Sequence, residues 1–131
     1  MGLEHIAPAS LPPARGYSHV VRTSGATTVY VAGQVAADSD GSPVAIGDLE
    51  GQTRQALANL REALAAAGAT PADVAKTTTY IVGYTPEMRA QLLAGRGDFF
   101  GEDAPAGTLI GVQALARPEF LIEIEATAVL D

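Results

Sequence analysis

The chain has 131 residues, 47% of them hydrophobic and 18% charged, which excludes disorder as its main state and fits a single domain over residues 1–131. Eight Lys plus Arg against 15 Asp plus Glu leave a net charge of −7, a balance that repels phosphate backbones and argues against nucleic acid and anionic membrane as partners. There is no cysteine, so a disulfide scaffold, a thiol nucleophile and a cysteine-ligated zinc site are all excluded.

The N-terminal stretch carries Pro8, Pro12 and Pro13 and reads as an extended arm. It has no basic segment followed by an apolar one, and no run in the chain approaches the roughly 20 apolar residues of a membrane span, so a cytoplasmic location is expected. Two runs rich in Val, Tyr and Thr follow, Tyr17–Thr23 and Thr27–Val35, on either side of Ser24-Gly25-Ala26; they predict a β-hairpin. Asp38 to Pro43 is turn chemistry. Its acidic spacing resembles a calcium loop but lacks the bidentate Glu, so a surface turn is expected.

Asp48 is a natural N-cap for the clearest helix. Leu49, Thr53, Ala56, Leu60, Leu64 and Ala67 recur at spacings of three and four and predict one buried stripe, closed by Gly68. Thr70-Pro71-Ala72-Asp73 predicts a capped single turn, and Lys76–Val82 a strand. Thr85-Pro86-Glu87 starts a second helix that turns Met88, Leu92 and Phe99 inward, although Gly95 and Gly97 weaken it by up to about 1 kcal/mol each. Thr108–Leu115 and Phe120–Leu130 are the last strands. In the final one, Phe120, Ile122, Ile124, Ala126 and Ala128 are uniformly apolar, while Glu123, Glu125 and Thr127 alternate with them.

The expected order is β-β-α-β-α-β-β: an α+β fold with both helices on one face of a mixed sheet. The even residues of the last strand then lie beneath the helices. The opposite face carries Glu123 and Glu125 together with Leu121 and Val129, and a half-apolar face of this kind calls for a covering partner, so a homo-oligomer is expected.

No phosphate-binding loop, nucleophile elbow or zinc-protease motif is present, and with His5 and His19 the only histidines, no metal site is expected. The polar residues near strand ends are Tyr17, Ser18, His19, Gln34, Thr108, Glu123 and Glu125. Each has an ordinary structural reading, and the two glutamates, about 7 Å apart on one strand face, do not define a glycosidase pair.

Taken in order, Gly16-Tyr17-Ser18-His19, Val31-Ala32-Gly33-Gln34, Gln52-Thr53-Arg54-Gln55-Ala56-Leu57 with Asn59-Leu60, Ala66-Ala67-Gly68-Ala69, Pro105-Ala106 and Glu123-Ile124-Glu125-Ala126-Thr127-Ala128 resemble the Rid family, also called YjgF/YER057c/UK114. The likeness runs from Tyr17 to Val129. It implies a chorismate-mutase-like fold, a homotrimeric barrel with clefts between subunits, and hydrolysis of reactive enamines and imines to keto acids and ammonia without a cofactor. It places Glu123 as the catalytic carboxylate that holds the attacking water. It places Tyr17, Gly33, Gly107 and Thr108 around a small-molecule metabolite.

One position departs from the family pattern. Where the family's Pro-Ala-Arg-[Ser/Thr] segment has an arginine for the substrate carboxylate, this chain has Gly107, in Pro105-Ala106-Gly107-Thr108. The loss of a charge-assisted contact, about 1.5–3 kcal/mol, points to an arginine-less subgroup with a bulkier or uncharged ligand. Arg22 or Arg117 is a candidate replacement cation. The alternative to an imine or enamine hydrolase, or one acting on a related C–N or C–O bond, is a non-catalytic ligand-binding or regulatory trimer. A ribonuclease ranks last, because the only lysine is Lys76.

Overall fold

The computed structural model describes residues 2–131, and Met1 lies outside the described residues. The elements are β1 (Leu3–Ile6), β2 (Val20–Thr23), β3 (Thr27–Gln34), α1 (Leu49–Ala66), β4 (Val74–Val82), α2 (Arg89–Arg96), β5 (Ala106–Val112) and β6 (Ile122–Leu130).

β6 organises the main sheet. Its alternating pattern demands one covered and one open face, and it lies between β3 and β4, antiparallel to both. β5 adds parallel to β4 at the edge, giving the order β3-β6-β4-β5. Ile122, Ile124, Ala126 and Ala128 are buried with Leu49, Ala56, Leu60 and Leu64 of α1, as their spacing required. Both helices cover this one face, so the chorismate-mutase-like α+β arrangement expected above is the one observed.

α1 starts where Asp48 accepts from the Gly51 amide at 3.0 Å. Gly68 follows it with a φ of 79°, a left-handed conformation that suits glycine at a helix end. The stripe departs from expectation at its end: Ala67 is exposed, and Gln52 and Leu57 join the buried set. Gln52 is a clamp. Its Nε2 donates to the Glu119 carbonyl at 2.8 Å and its Oε1 accepts from the Leu121 amide at 2.9 Å, pinning the entry to β6. Asn59 donates to the Val35 and Ala37 carbonyls at 2.8 and 2.9 Å, pinning the exit from β3. Met88, Leu92 and Phe99 face the core as expected. Gly95 is required for packing: a Cβ there would lie 2.7 Å from Thr53 Cβ on α1.

The predicted hairpin is not formed. β2 pairs antiparallel with β1, a strand within what reads as an extended arm, while β3 pairs with β6. A short hairpin loop, of two residues or of the three at 24–26, needs a residue with positive φ, and none of these has it. Gly25 instead admits the end of β6, since a Cβ there would lie 2.6 Å from Val129 Cγ1. The element order therefore gains a strand at its start. β5 begins two residues earlier than the predicted Thr108 and ends at Val112. The Asp38 loop is a surface turn in which Asp38 Oδ1 accepts from the Asp40 and Ser42 amides at 2.9 and 3.0 Å.

Candidate functional site

The pleat divides the proposed site residues between the two faces of the sheet. Glu123 and Glu125, at odd positions of β6, project from the face opposite the helices, beside Tyr80 of β4, which pairs with Glu123 in register. Tyr80 donates its hydroxyl to Glu125 Oε1 at 2.8 Å. That bond, followed by partial burial and the charges of Glu125 and Glu123, raises the Tyr80 pKa above the ordinary tyrosine value. Among the described residues, the Glu123 carboxylate makes no hydrogen bond or ion pair. Gly33 lies directly over it at the β3 bulge, and any Cβ at position 33 would overlap the Glu123 carboxylate. Glycine is thus the residue that lets a half-buried carboxylate lie flat against β3.

Tyr17 and Gly107 gather elsewhere, on the covered side, while Thr108, in register with Thr78 and through it Glu125, turns its side chain to the open face. Ser18 bridges to Ala106 and donates its amide to the Pro105 carbonyl at 3.0 Å, carrying Tyr17 alongside the start of β5. Tyr17 packs edge-on against His19, whose ring is held by the Pro12 carbonyl at 2.7 Å. A Cβ at Gly107 would sit 3.5 Å from Thr77 Oγ1 and 3.6 Å from Tyr17 Cβ, which is ordinary contact, so glycine here leaves open volume. Lys76 Nζ donates to the Thr108 hydroxyl at 2.6 Å. Tyr17, Gly107 and Thr108 border a cavity of about 200 Å³ between α2 and the covered face of β4 and β5. Glu123 and Gly33 do not line it. Within one protomer the proposed site residues therefore fall into two separate groups.

Neither candidate cation lies at this cavity. Arg22 is bound to Glu4 on the β1–β2 ribbon, and Arg117 lies 3.6 Å from Glu119 in the loop before β6. Each is exposed and paired with a nearby acid within the protomer. The cavity is instead bordered by Arg15, Arg89 and Arg96. A sequence signal for two of them existed: Arg89 and Arg96, two turns apart, fall on one face of α2.

The family model described as Endoribonuclease L-PSP matches residues 7–130. A Rid protein of Yersinia pestis, YyfB, has a crystal structure that superposes with a TM-score of 0.94 at 48% identity, covering 99% of this chain and 100% of that one. A RutC family protein of Pyrococcus horikoshii is 34% identical, with 93% of this chain and 90% of that protein aligned. The 2-iminobutanoate/2-iminopropanoate deaminase of Mus musculus is 35% identical, with 94% of this chain and 85% of that protein aligned.

Proposed function

This chain belongs to the Rid (YjgF/YER057c/UK114) family, and we propose that it hydrolyses reactive imines and their enamine tautomers in clefts shared by neighbouring copies of itself. The observation that carries this reading is the unpartnered Glu123 carboxylate, held under Gly33 on the face the helices leave open. In the cleft, Glu123 accepts a proton from water as the water oxygen bonds to the imine carbon. The C=N π pair moves to nitrogen, which takes up a proton. The resulting carbinolamine expels ammonia and leaves the ketone, so one water is consumed for each ammonia released. An imine is already electrophilic, so a positioned water and one carboxylate suffice.

The assembly completes the site. The open face carries Tyr30, 82% exposed, with Ile110 exposed on the same side of β5, an uncovered mixture that another copy would bury. In a homotrimer, Glu123 and Gly33 of one protomer face Tyr17 and Thr108 of the next, uniting the two half-sites. The test is ammonia release from 2-iminobutanoate generated in situ. Glu123→Gln keeps the side chain's shape and should lower the rate by about a hundredfold or more without changing the assembly. An unchanged rate would refute the assignment of Glu123.

A further inference from the structure

The cavity beneath α2 concentrates positive charge with nothing to neutralise it. Arg15, Arg89 and Arg96 border it, and no Asp or Glu does. Among the described residues none of the three forms an ion pair. Glu102 and Asp103 border the adjoining depression with Arg96, yet neither reaches it. Arg96 is half-buried, with its guanidinium 5.2 Å from the centre of the Phe100 ring. Burial, and then the charge of Arg89, lower its pKa from the usual arginine value, the signature of a cation held where it has too little solvent and a like charge for a neighbour. Arg89 makes one long bond, 3.4 Å to the Arg15 carbonyl, so most of its five donors are uncommitted.

Much of the remaining wall is apolar, with Leu57, Leu92, Phe100, Leu109 and Ile124, while Thr53, Thr77 and Thr79 also line it. A space of about 200 Å³ equals ~7 water volumes, which suits a molecule of about ten heavy atoms. A planar fork of donors at one end of an apolar pocket matches a monocarboxylate better than a strongly hydrated phosphate dianion. We propose that this cavity binds a small carboxylate with an apolar tail, the carboxylate between Arg89 and Arg96 and the tail against Leu92, Leu109 and Ile124. Gly107 lines this cavity, where a Cβ would make only ordinary contacts with Thr77 and Tyr17 but a long side chain would take up room a ligand needs.

The arrangement also refines the substrate class: the imine would be a 2-imino acid with a branched or aromatic side chain, not an uncharged imine. Only that last step rests on the hydrolase reading, since binding of an inert carboxylate does not require turnover.

The experiment is isothermal titration of the full chain with isocaproate and phenylacetate, and with their uncharged amides. Both acids should bind, and each amide should bind about tenfold or more weakly. Arg96→Met, which keeps the apolar stem, should weaken acid binding about tenfold, and Gly107→Leu should abolish it. Amide chemical shifts of Thr77 and Thr79 should move on titration, locating the ligand even if a variant folds poorly. Acid binding that persists in an enzyme inactive on every imine would defeat the hydrolase reading and leave this one standing. Failure of both acids to bind, equal affinity for acid and amide, or undiminished binding by Arg96→Met would overturn it.

Discussion

The two faces of the central sheet come from the same strands and have opposite characters. On the covered face, β6 offers Ile122, Ile124, Ala126 and Ala128 to the leucines of α1, and the polar side chains there are satisfied locally: Thr53 donates to the Leu49 carbonyl at 2.7 Å. On the open face, the intervening residues are Glu123, Glu125 and Tyr80, with Tyr30 standing in solvent. One face is closed within the protomer, and the other is left open with two carboxylates on it. A strand's alternation thus divides residues that build the core from residues left free for other roles.

The difference should be measurable. Leu60→Ala, at a fully buried position on the covered side, is expected to cost about 2–5 kcal/mol in urea unfolding. Gln52→Leu leaves the Leu121 amide and the Glu119 carbonyl without their partner and should cost about 1–3 kcal/mol by the same measurement. On the open side, Tyr30→Ser should change the stability of an isolated protomer by no more than about 0.5 kcal/mol, yet shift sedimentation towards smaller species. If it instead destabilised the protomer as much as the core variant, the open face would not be open.

The smallest effect is at Tyr80. Its folded pKa is raised, so the contribution of its bond to Glu125 is complete below the ordinary tyrosine value of 10.0 and fades as pH rises through the higher folded value. An alkaline absorbance titration of the native chain minus that of Tyr80→Phe should give an inflection above 10.0. An inflection below it would mean the Tyr80–Glu125 bond is not made.

The regular elements of the fold were legible because their signals are local. The period of α1, the cap at Asp48, the left-handed Gly68 and the alternation of β6 each bind neighbours in sequence to neighbours in space. The partner of β2 was not legible, because pairing is a choice between distant strands. Gly25 looks the same whether it turns a hairpin or makes room for β6. By propensity alone Gly95 is a weakness in α2, because the approach of α1 to its α-carbon leaves no mark on the local sequence.

The motif residues were legible as a family signature, but their roles were mixed. Gln52 and Asn59 are architectural clamps, while Gly33 and Glu123 form one steric unit. The cationic cavity was hidden because Arg15 comes to α2 from a loop more than seventy residues away, meeting Arg89 through a backbone carbonyl. The glycine at 107 suggested a site without a cation, whereas the pocket it opens is bordered by three arginines.

The central claim is that catalysis joins the open face of one protomer to the Tyr17–Gly107 region of another. Co-expressing Glu123→Gln with Gly107→Leu tests it directly, because each lesion lies in a different half-site. Either variant alone should be inactive, while random mixing in a trimer should rebuild about a quarter of the sites and return ammonia release from 2-iminobutanoate in proportion. Mixed assemblies as inactive as their parents would place both halves in one protomer and contradict the account.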